Sequence, residues 1–127
     1  MKSDFAEQFR VRTKKFALQN IKLFQSLPKT EEARILGRQL LRSSTSVASN
    51  YRAVCRARSD KEFFAKLSIC VEEADECVFW LELMIESGIS NTALINELMK
   101  ESVEIIAILS KSRKSFKENR KPKSDHS

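Results

Sequence analysis

The sequence predicts an all-α protein: a single-domain, antiparallel up-down four-helix bundle with a disordered basic C-terminal tail. The chain of 127 residues is long enough for one hydrophobic core, and it contains only two glycines and two prolines. Its apolar residues recur with the period of an amphipathic helix. An all-β domain would need a turn signal about every 8–12 residues, which so few Gly and Pro residues do not provide.

The first helix is predicted over residues 4–27. Its apolar side chains fall within about 40° of arc at 100° per residue, namely Phe5, Phe9, Phe16, Leu23 and Leu27. Pro28 ends the helix, because the residue before a proline is biased away from the helical region.

The second helix is predicted over residues 31–57, with Thr30 as its N-cap and two acids in its first turn. The expected buried face is Leu36, Leu40, Val47, Tyr51, Val54 and Cys55. Residues 42–50 are mostly small, which allows another backbone to approach closely. We expect a helix crossing inside the bundle there, and a contact between subunits is the alternative.

The third helix is predicted over residues 60–87. Ser59 and Glu62 form the S-x-x-E capping box at its start, and Gly88 suits the left-handed position after its end. One face is apolar and carries Phe63, Leu67, Cys70, Ala74, Cys77 and Leu81.

The fourth helix is predicted over residues 91–110, capped by Ser90 or Asn91. Its expected buried side chains are Leu94, Leu98, Ile105 and Leu109. Beyond Ser110 the apolar pattern gives way to lysine, arginine and serine, so residues 111–127 are predicted to be a flexible basic tail.

The net charge of +6 conceals a strong segregation of charge along the chain. Counting basic minus acidic side chains gives +4 for residues 1–27, +5 for 28–59, −6 for 60–87, −2 for 88–110 and +5 for 111–127. Two cationic helices and a strongly anionic third helix are compatible with pairing within the chain, pairing between subunits, or binding of a polyanion.

A one-sided arginine stripe on the second helix is the candidate nucleic-acid-binding surface. At helical spacing five arginines fall within about 80° of arc, away from the apolar face: Arg34, Arg38, Arg42, Arg52 and Arg56. The stripe is roughly 33 Å long, and guanidinium groups suit phosphate. The alternatives are pairing with the acids of the third helix, in the same or a neighbouring subunit, and a solvated face.

The third helix also carries apolar residues on a second side. Ile69, Trp80 and Leu83 project roughly opposite to Phe63 and Leu81, so the apolar arc is wider than a lone bundle helix needs. We therefore expect Ile69, Trp80 and Leu83 to form an interface in a homo-oligomer. The alternative is that Trp80 packs at the edge of its own bundle.

No catalytic, metal or cofactor site is predicted, so the chain is expected not to be an enzyme. Its one histidine, His126, is two residues from the end of the predicted tail, where it cannot form a rigid pair with a nucleophile. The three cysteines lie in apolar helical patterns and are expected to be reduced core residues. No signal peptide or membrane-spanning run is present, so the protein is expected in the cytoplasm.

Two segments carry a family resemblance: residues 39–53, with sequence QLLRSSTSVASNYRA, and residues 72–83, with sequence EEADECVFWLEL. With them the chain resembles the four-helix-bundle family encoded in intervening sequences of bacterial 23S ribosomal RNA genes. The resemblance extends over about residues 10–86. The positions that match the family pattern are Arg42, Ser43, Ser46, Asn50, Glu73, Glu76, Trp80 and Leu81.

The resemblance implies a ring-like homopentamer. It also implies kinship with the accessory protein of diversity-generating retroelements, which is thought to bind nucleic acid and a reverse transcriptase. The expected function is therefore that of a non-enzymatic, homo-oligomeric accessory protein that binds RNA or DNA. The alternative is a structural or adaptor protein whose arginine stripe serves subunit or partner contacts without nucleic acid.

Overall fold

The computed structural model describes residues 3–120, which form four α-helices. They are α1 (Asp4–Ser26), α2 (Glu31–Cys55), α3 (Asp60–Glu86) and α4 (Ala93–Asn119). Each helix packs on its neighbours in sequence, and α4 also contacts α1. This confirms the predicted all-α four-helix bundle. Residues 121–127 of the predicted tail, including His126, lie outside the described residues.

Each helix begins at a serine or threonine whose hydroxyl accepts a hydrogen bond from a backbone N–H in the first turn. Thr30 accepts from Ala33 N at 3.3 Å, and Ser59 accepts from Glu62 N at 3.1 Å, so both predicted caps are confirmed. In a capping box the Glu62 carboxylate would accept from the N–H of the N-cap residue, Ser59. Here it accepts from the N–H of the preceding residue, Arg58. Such caps satisfy backbone donors that lack helical partners.

The cap of α4 differs from the prediction. Thr92, rather than Ser90 or Asn91, is the N-cap, and its hydroxyl accepts from Ile95 N at 3.3 Å. Ser90 is buried instead, and its N–H donates to Met84 O at the end of α3. Three polar candidates stand in a row here, and only the tertiary path of the loop selects among them.

Gly88 ends α3 in the predicted left-handed conformation, with φ of +79°. Its N–H donates to Ile85 O at 3.1 Å, which satisfies one of the last free carbonyls of the helix. A residue with a Cβ adopts this backbone region only at a cost in free energy.

The four apolar faces meet in one core along the bundle axis. Its largest fully buried side chains are Phe16, Leu23, Leu40, Leu67, Leu81, Met84, Ile95, Leu98, Ile105 and Leu109. Phe5 departs from the buried face expected for α1, because it is the second residue of the helix and is 53% exposed. It stacks on Phe9 with ring centroids 5.8 Å apart.

α1 and α2 approach each other closely at Gly37. A Cβ added to Gly37 would lie 2.8 Å from Leu27 Cδ1 and 2.9 Å from Phe24 Cδ1, closer than van der Waals contact. The missing side chain therefore lets α1 cross near the start of α2. Small residues thus contribute to bundle packing, as expected for a close helix crossing.

The fourth helix does not end near Ser110 as predicted, since it continues to Asn119. Phe116 packs on Phe63 and Phe64 of α3, with ring centroids 4.7 Å and 6.1 Å away. At the end of α4, Arg120 forms an ion pair with Asp60 at 3.0 Å. The packing of Phe116 and the ion pair of Arg120 hold the end of α4 against α3. The composition of this segment alone predicts a flexible tail.

Phe116→Ala tests this docking of the end of α4. The substitution removes a half-buried ring, and we expect a loss of about 1–2 kcal/mol in the free energy of unfolding, measured by urea denaturation. The matched control is Ser115→Ala, an exposed neighbour in the same turn, which should change stability by less than about 0.5 kcal/mol. Equal effects of the two substitutions would contradict the packing described above.

Candidate nucleic-acid interface

The arginine stripe lies on the outer side of α2, as predicted. All five of its arginines are exposed, while the opposite side of the helix packs into the core through residues such as Leu40, Val47 and Val54. Because α2 is continuous from Glu31 to Cys55, the spacing of the stripe is set by one rigid helix.

Arg42 differs from the rest of the stripe because it forms ion pairs with two acids of α3. Its Nη1 lies 3.1 Å from Glu73 Oε1, and its Nη2 bonds to Glu76 Oε1. Glu73 is the less exposed of the two acids, with 17% of its side chain accessible. The guanidinium therefore bridges two successive turns of α3 and fixes the α2–α3 register.

The environment of Arg42 favours its charged form. Partial burial lowers the pKa of Arg42, but the charges and hydrogen bonds of Glu73 and Glu76 outweigh it, so the pKa is raised above its ordinary value. Of the alternatives raised by the sequence, pairing within the chain thus applies to Arg42.

The other four arginines of the stripe make no ion pair with any residue between 3 and 120. They are Arg34, Arg38, Arg52 and Arg56. The exposed acids of α3 do not reach them, because α3 packs against a different side of α2. These four guanidinium groups remain available to a ligand or to another subunit.

Lys14 on α1 extends the basic surface, and reading each helix separately missed it. Phe9 packs on Tyr51 at 4.8 Å, and Phe24 lies against Gly37, so α1 and α2 are antiparallel and in a defined register. In this register the α1 residues 14 and 15 lie level with residues 45 and 46, inside the gap between Arg42 and Arg52.

Three exposed α1 lysines point away from the core and make no ion pair within the described chain: Lys14, Lys15 and Lys22. Lys14 lies on the side of α1 that faces α2, about 80° of helical arc from Phe24, whereas Lys15 and Lys22 are turned toward Arg12 and α4. Lys14 and the four unpaired arginines of the stripe form what we call the basic face. The basic face could have been predicted by placing the exposed residues of α1 beside those of α2 in antiparallel order.

Residues 42–50 of α2 divide between the core and the surface. Ser43 and Ser44 are fully buried, and Cys77 of α3 lies 3.4 Å from the Ser43 hydroxyl. Ser46 and Asn50 lie on the half-exposed side, where the Asn50 amide donates to the Ser46 hydroxyl at 2.9 Å. The buried half of the run serves the expected crossing of α2 and α3 inside the bundle.

The predicted interface residues of α3 are half-buried on its outer side. Trp80 packs against the core, and its indole N–H is buried without a hydrogen-bond partner in the described chain. Ile69 and Leu83 are partly exposed on the same side of the helix. The adjacent Phe79, which the sequence reasoning missed, is 49% exposed and contacts Trp80 with ring centroids 5.0 Å apart.

Next to Phe79, α3 carries an acidic surface. Four of its acids are exposed and make no ion pair with any described residue: Glu72, Asp75, Glu82 and Glu86. The charge segregation predicted from the sequence is therefore spatial, with the basic face on α1 and α2 and the acidic surface on α3.

No group of three His, Cys, Asp or Glu residues within 3–120 has the arrangement of a metal site. None of the four helices is both long and apolar enough to cross a membrane. Cys70 and Cys77 are free and fully buried, and burial raises the pKa of each thiol to about 12. Such thiols remain protonated near neutral pH.

The fold and the surface together define an antiparallel four-helix bundle with a basic face on two adjacent helices. The sequence model of the 23S rRNA-intervening sequence protein family matches residues 8–111 of this chain. The chain therefore belongs to this family. The matched residues include at least part of each of the four helices. No curated protein matches the sequence.

A solved structure from Bacteroides thetaiotaomicron VPI-5482 is similar to this chain. It is described as a protein with unknown function from the S23 ribosomal protein family. The two share 28% sequence identity with a TM-score of 0.78, and the match covers 86% of this chain and 97% of the other. The similarity therefore extends over most of the bundle.

A double-mutant cycle tests the pairing of Arg42 with Glu73. Replacing each by Ala, alone and together, should give a coupling energy of about 0.5–1 kcal/mol at low salt, which decreases as salt screens the pair. The matched cycle between Arg38 and Glu73 should give a coupling near zero, because Arg38 makes no such contact. Equal coupling in the two cycles would show that the pairing is not specific to Arg42.

Proposed function

We propose that this protein is a non-enzymatic, homo-oligomeric accessory protein that binds RNA or DNA through its basic face. The observation that carries the proposal is the set of four α2 arginines that are exposed and unpaired among residues 3–120. The acids of α3 take up the charge of Arg42 and leave the rest of the stripe available.

The geometry of the basic face suits a phosphate backbone. Arg34 of α2 and Arg56, the C-cap residue of α2, are 22 positions apart in the sequence, which is roughly 33 Å and spans several phosphates. Lys14 of α1 lies at the level at which α2 has no arginine. Neither strongly exposed aromatic residue, Phe5 or Phe79, lies on this face. Contacts to phosphates rather than stacking on bases would thus dominate, with little dependence on sequence.

The proposed subunit interface is the outer side of α3. Phe79, Trp80 and Leu83 form an apolar surface there, and exposed apolar patches of this kind are typical of protein interfaces. The pentamer, the kinship with the accessory protein of diversity-generating retroelements, and a protein partner such as a reverse transcriptase rest on the sequence resemblance alone. We further propose that the protein acts in the cytoplasm, as expected from its sequence.

A structural or adaptor protein is the second candidate, and one observation favours it. The acidic surface of α3 and the basic face of α2 have opposite charge and lie on different sides of the same bundle. A head-to-tail contact between two copies would bring them together, and such contacts close into rings when the rotation permits. The arginines would then lie in contacts between subunits and would not be available to nucleic acid.

Arg38→Glu combined with Arg52→Glu separates the two candidates. If the basic face binds nucleic acid, affinity for a fluorescently labelled RNA should fall by more than about tenfold, and the dependence of log K on log salt should become shallower by about 2. The matched control is Lys61→Glu with Lys100→Glu, which makes the same change of net charge outside the basic face. The oligomer mass is measured in parallel by light scattering.

Two results would count against nucleic-acid binding by this face. One is unchanged RNA affinity in the Arg38 and Arg52 double variant while its oligomer mass is intact. The other is dissociation of the assembly by that double variant but not by the lysine control, which would assign the arginines to subunit contacts.

Ile69→Glu combined with Leu83→Glu tests the subunit interface. We expect the native mass to be a multiple of the chain mass of 14.6 kDa and to fall to one chain in this variant, because burying two new carboxylates is unfavourable. Val103→Glu, at an exposed apolar position of α4, is the matched control and should leave the mass unchanged. A wild-type mass of one chain would contradict the homo-oligomer.

A further inference from the structure

A cavity of about 610 Å³ lies at the end of the bundle where α1 begins, α2 ends and α3 begins. It is separate from the basic face and from the outer side of α3. Apolar side chains form most of its wall, including Phe5, Ala6, Val54, Phe63 and Leu67. This volume is within the range of small-molecule sites, roughly 300–1,000 Å³.

At this end of the bundle α4 extends further than α1. Arg12 bonds to Glu101 and Glu104 of α4, each at 2.7 Å, which sets the register of α1 against α4. From this point α1 extends about two turns to its start at Asp4, whereas α4 extends about four turns to Asn119.

One polar side chain in the wall lacks a partner. Tyr51 is only 6% exposed, and its hydroxyl makes no hydrogen bond with any residue of the described chain. The hydroxyl oxygen is not among the fully buried polar atoms of residues 3–120 that lack a partner, so it keeps access to the open space of the cavity, where a ligand can reach it. Burial also raises the pKa of Tyr51, which keeps the hydroxyl protonated and able to donate.

The wall carries no charge that would recognise an ion. None of the side chains that line the cavity between residues 3 and 120 is acidic or basic. A charged ligand would lose its hydration here without compensation, so the chemistry of the wall selects a neutral one.

We propose that this cavity binds a neutral, mainly apolar small molecule with one hydrogen-bond acceptor, which accepts from the Tyr51 hydroxyl. The ligand class follows from the apolar wall, the absence of charge in it and the single unpartnered donor. This site is independent of the proposed nucleic-acid binding, because it shares no residue with the basic face.

Cys55 provides a reporter inside the site. It lines the cavity and is half-buried, whereas Cys70 and Cys77 are fully buried. With a pKa of about 12, the thiols of Cys70 and Cys77 should resist alkylation by iodoacetamide at pH 8 in the folded protein. Peptide mass spectrometry therefore follows Cys55 alone.

The experiment uses the full chain and the naphthalene ketone prodan, a neutral apolar fluorophore whose carbonyl is an acceptor. We expect saturable binding of one prodan per chain with a blue-shifted emission, and slower alkylation of Cys55 at saturation. Tyr51→Phe removes only the hydroxyl and should weaken prodan binding about five- to tenfold. Its thermal midpoint should not fall, because the hydroxyl has no partner to lose.

Ala6→Leu fills the cavity from α1 and should abolish both prodan binding and the protection of Cys55. Ala107→Leu, the same substitution at an exposed position of α4, is the matched control and should bind prodan as the wild type does. If Ala6→Leu does not fold, Ser112→Leu fills the same cavity from α4.

Several outcomes would overturn the proposal. Prodan affinity that is unchanged in the cavity-filling variants would place the probe elsewhere on the protein. Binding that leaves the alkylation rate of Cys55 unchanged would do the same. Wild-type affinity in Tyr51→Phe, with loss in Ala6→Leu, would remove the hydroxyl from the recognition of the ligand.

Discussion

The close packing of α2 against both of its neighbours is the constraint on which the rest of the structure depends. At Gly37 there is no room for a Cβ beneath Leu27 and Phe24, and Ser43 lies against Cys77 on the other side. Because α2 uses small residues at these two close approaches, its rotation about its own axis is fixed by those contacts. With the rotation fixed, every arginine of the stripe must lie outside.

The same packing explains which arginine is paired. Arg42 stands at the level where α3 comes closest, so its side chain reaches Glu73 and Glu76 across the α2–α3 crossing. Helical periodicity predicts the stripe, since period is a local property of the sequence. It cannot predict the pairing, which depends on how far a side chain reaches between helices. Lys14 was missed for the same reason: it belongs to the basic face only once the antiparallel register is known.

The helix ends that depend on local sequence could be predicted, whereas those that depend on tertiary packing could not. Thr30, Ser59 and Gly88 were predicted correctly because a cap acts on backbone groups within one turn. The end of α4 was predicted wrongly, since its composition is basic and only Phe116 is apolar in the last turns. That ring is held by Phe63 and Phe64, which are about fifty residues earlier in the chain. Only the folded bundle brings these residues together.

The close spacing of the arginines on α2 lowers the stability of this helix, and this bears on the function of the basic face. Arg34 and Arg38, Arg38 and Arg42, and Arg52 and Arg56 are like-charge pairs at i,i+4, each of which destabilises a helix by about 0.2–0.5 kcal/mol. The acids of α3 offset this repulsion for Arg42 alone. For the other arginines an opposing charge must come from outside the described chain, as a phosphate backbone or the acidic surface of another copy. Both would stabilise the bundle and both would weaken with salt. Only the mass of the assembly after the arginines are reversed distinguishes a polyanion from a neighbouring subunit.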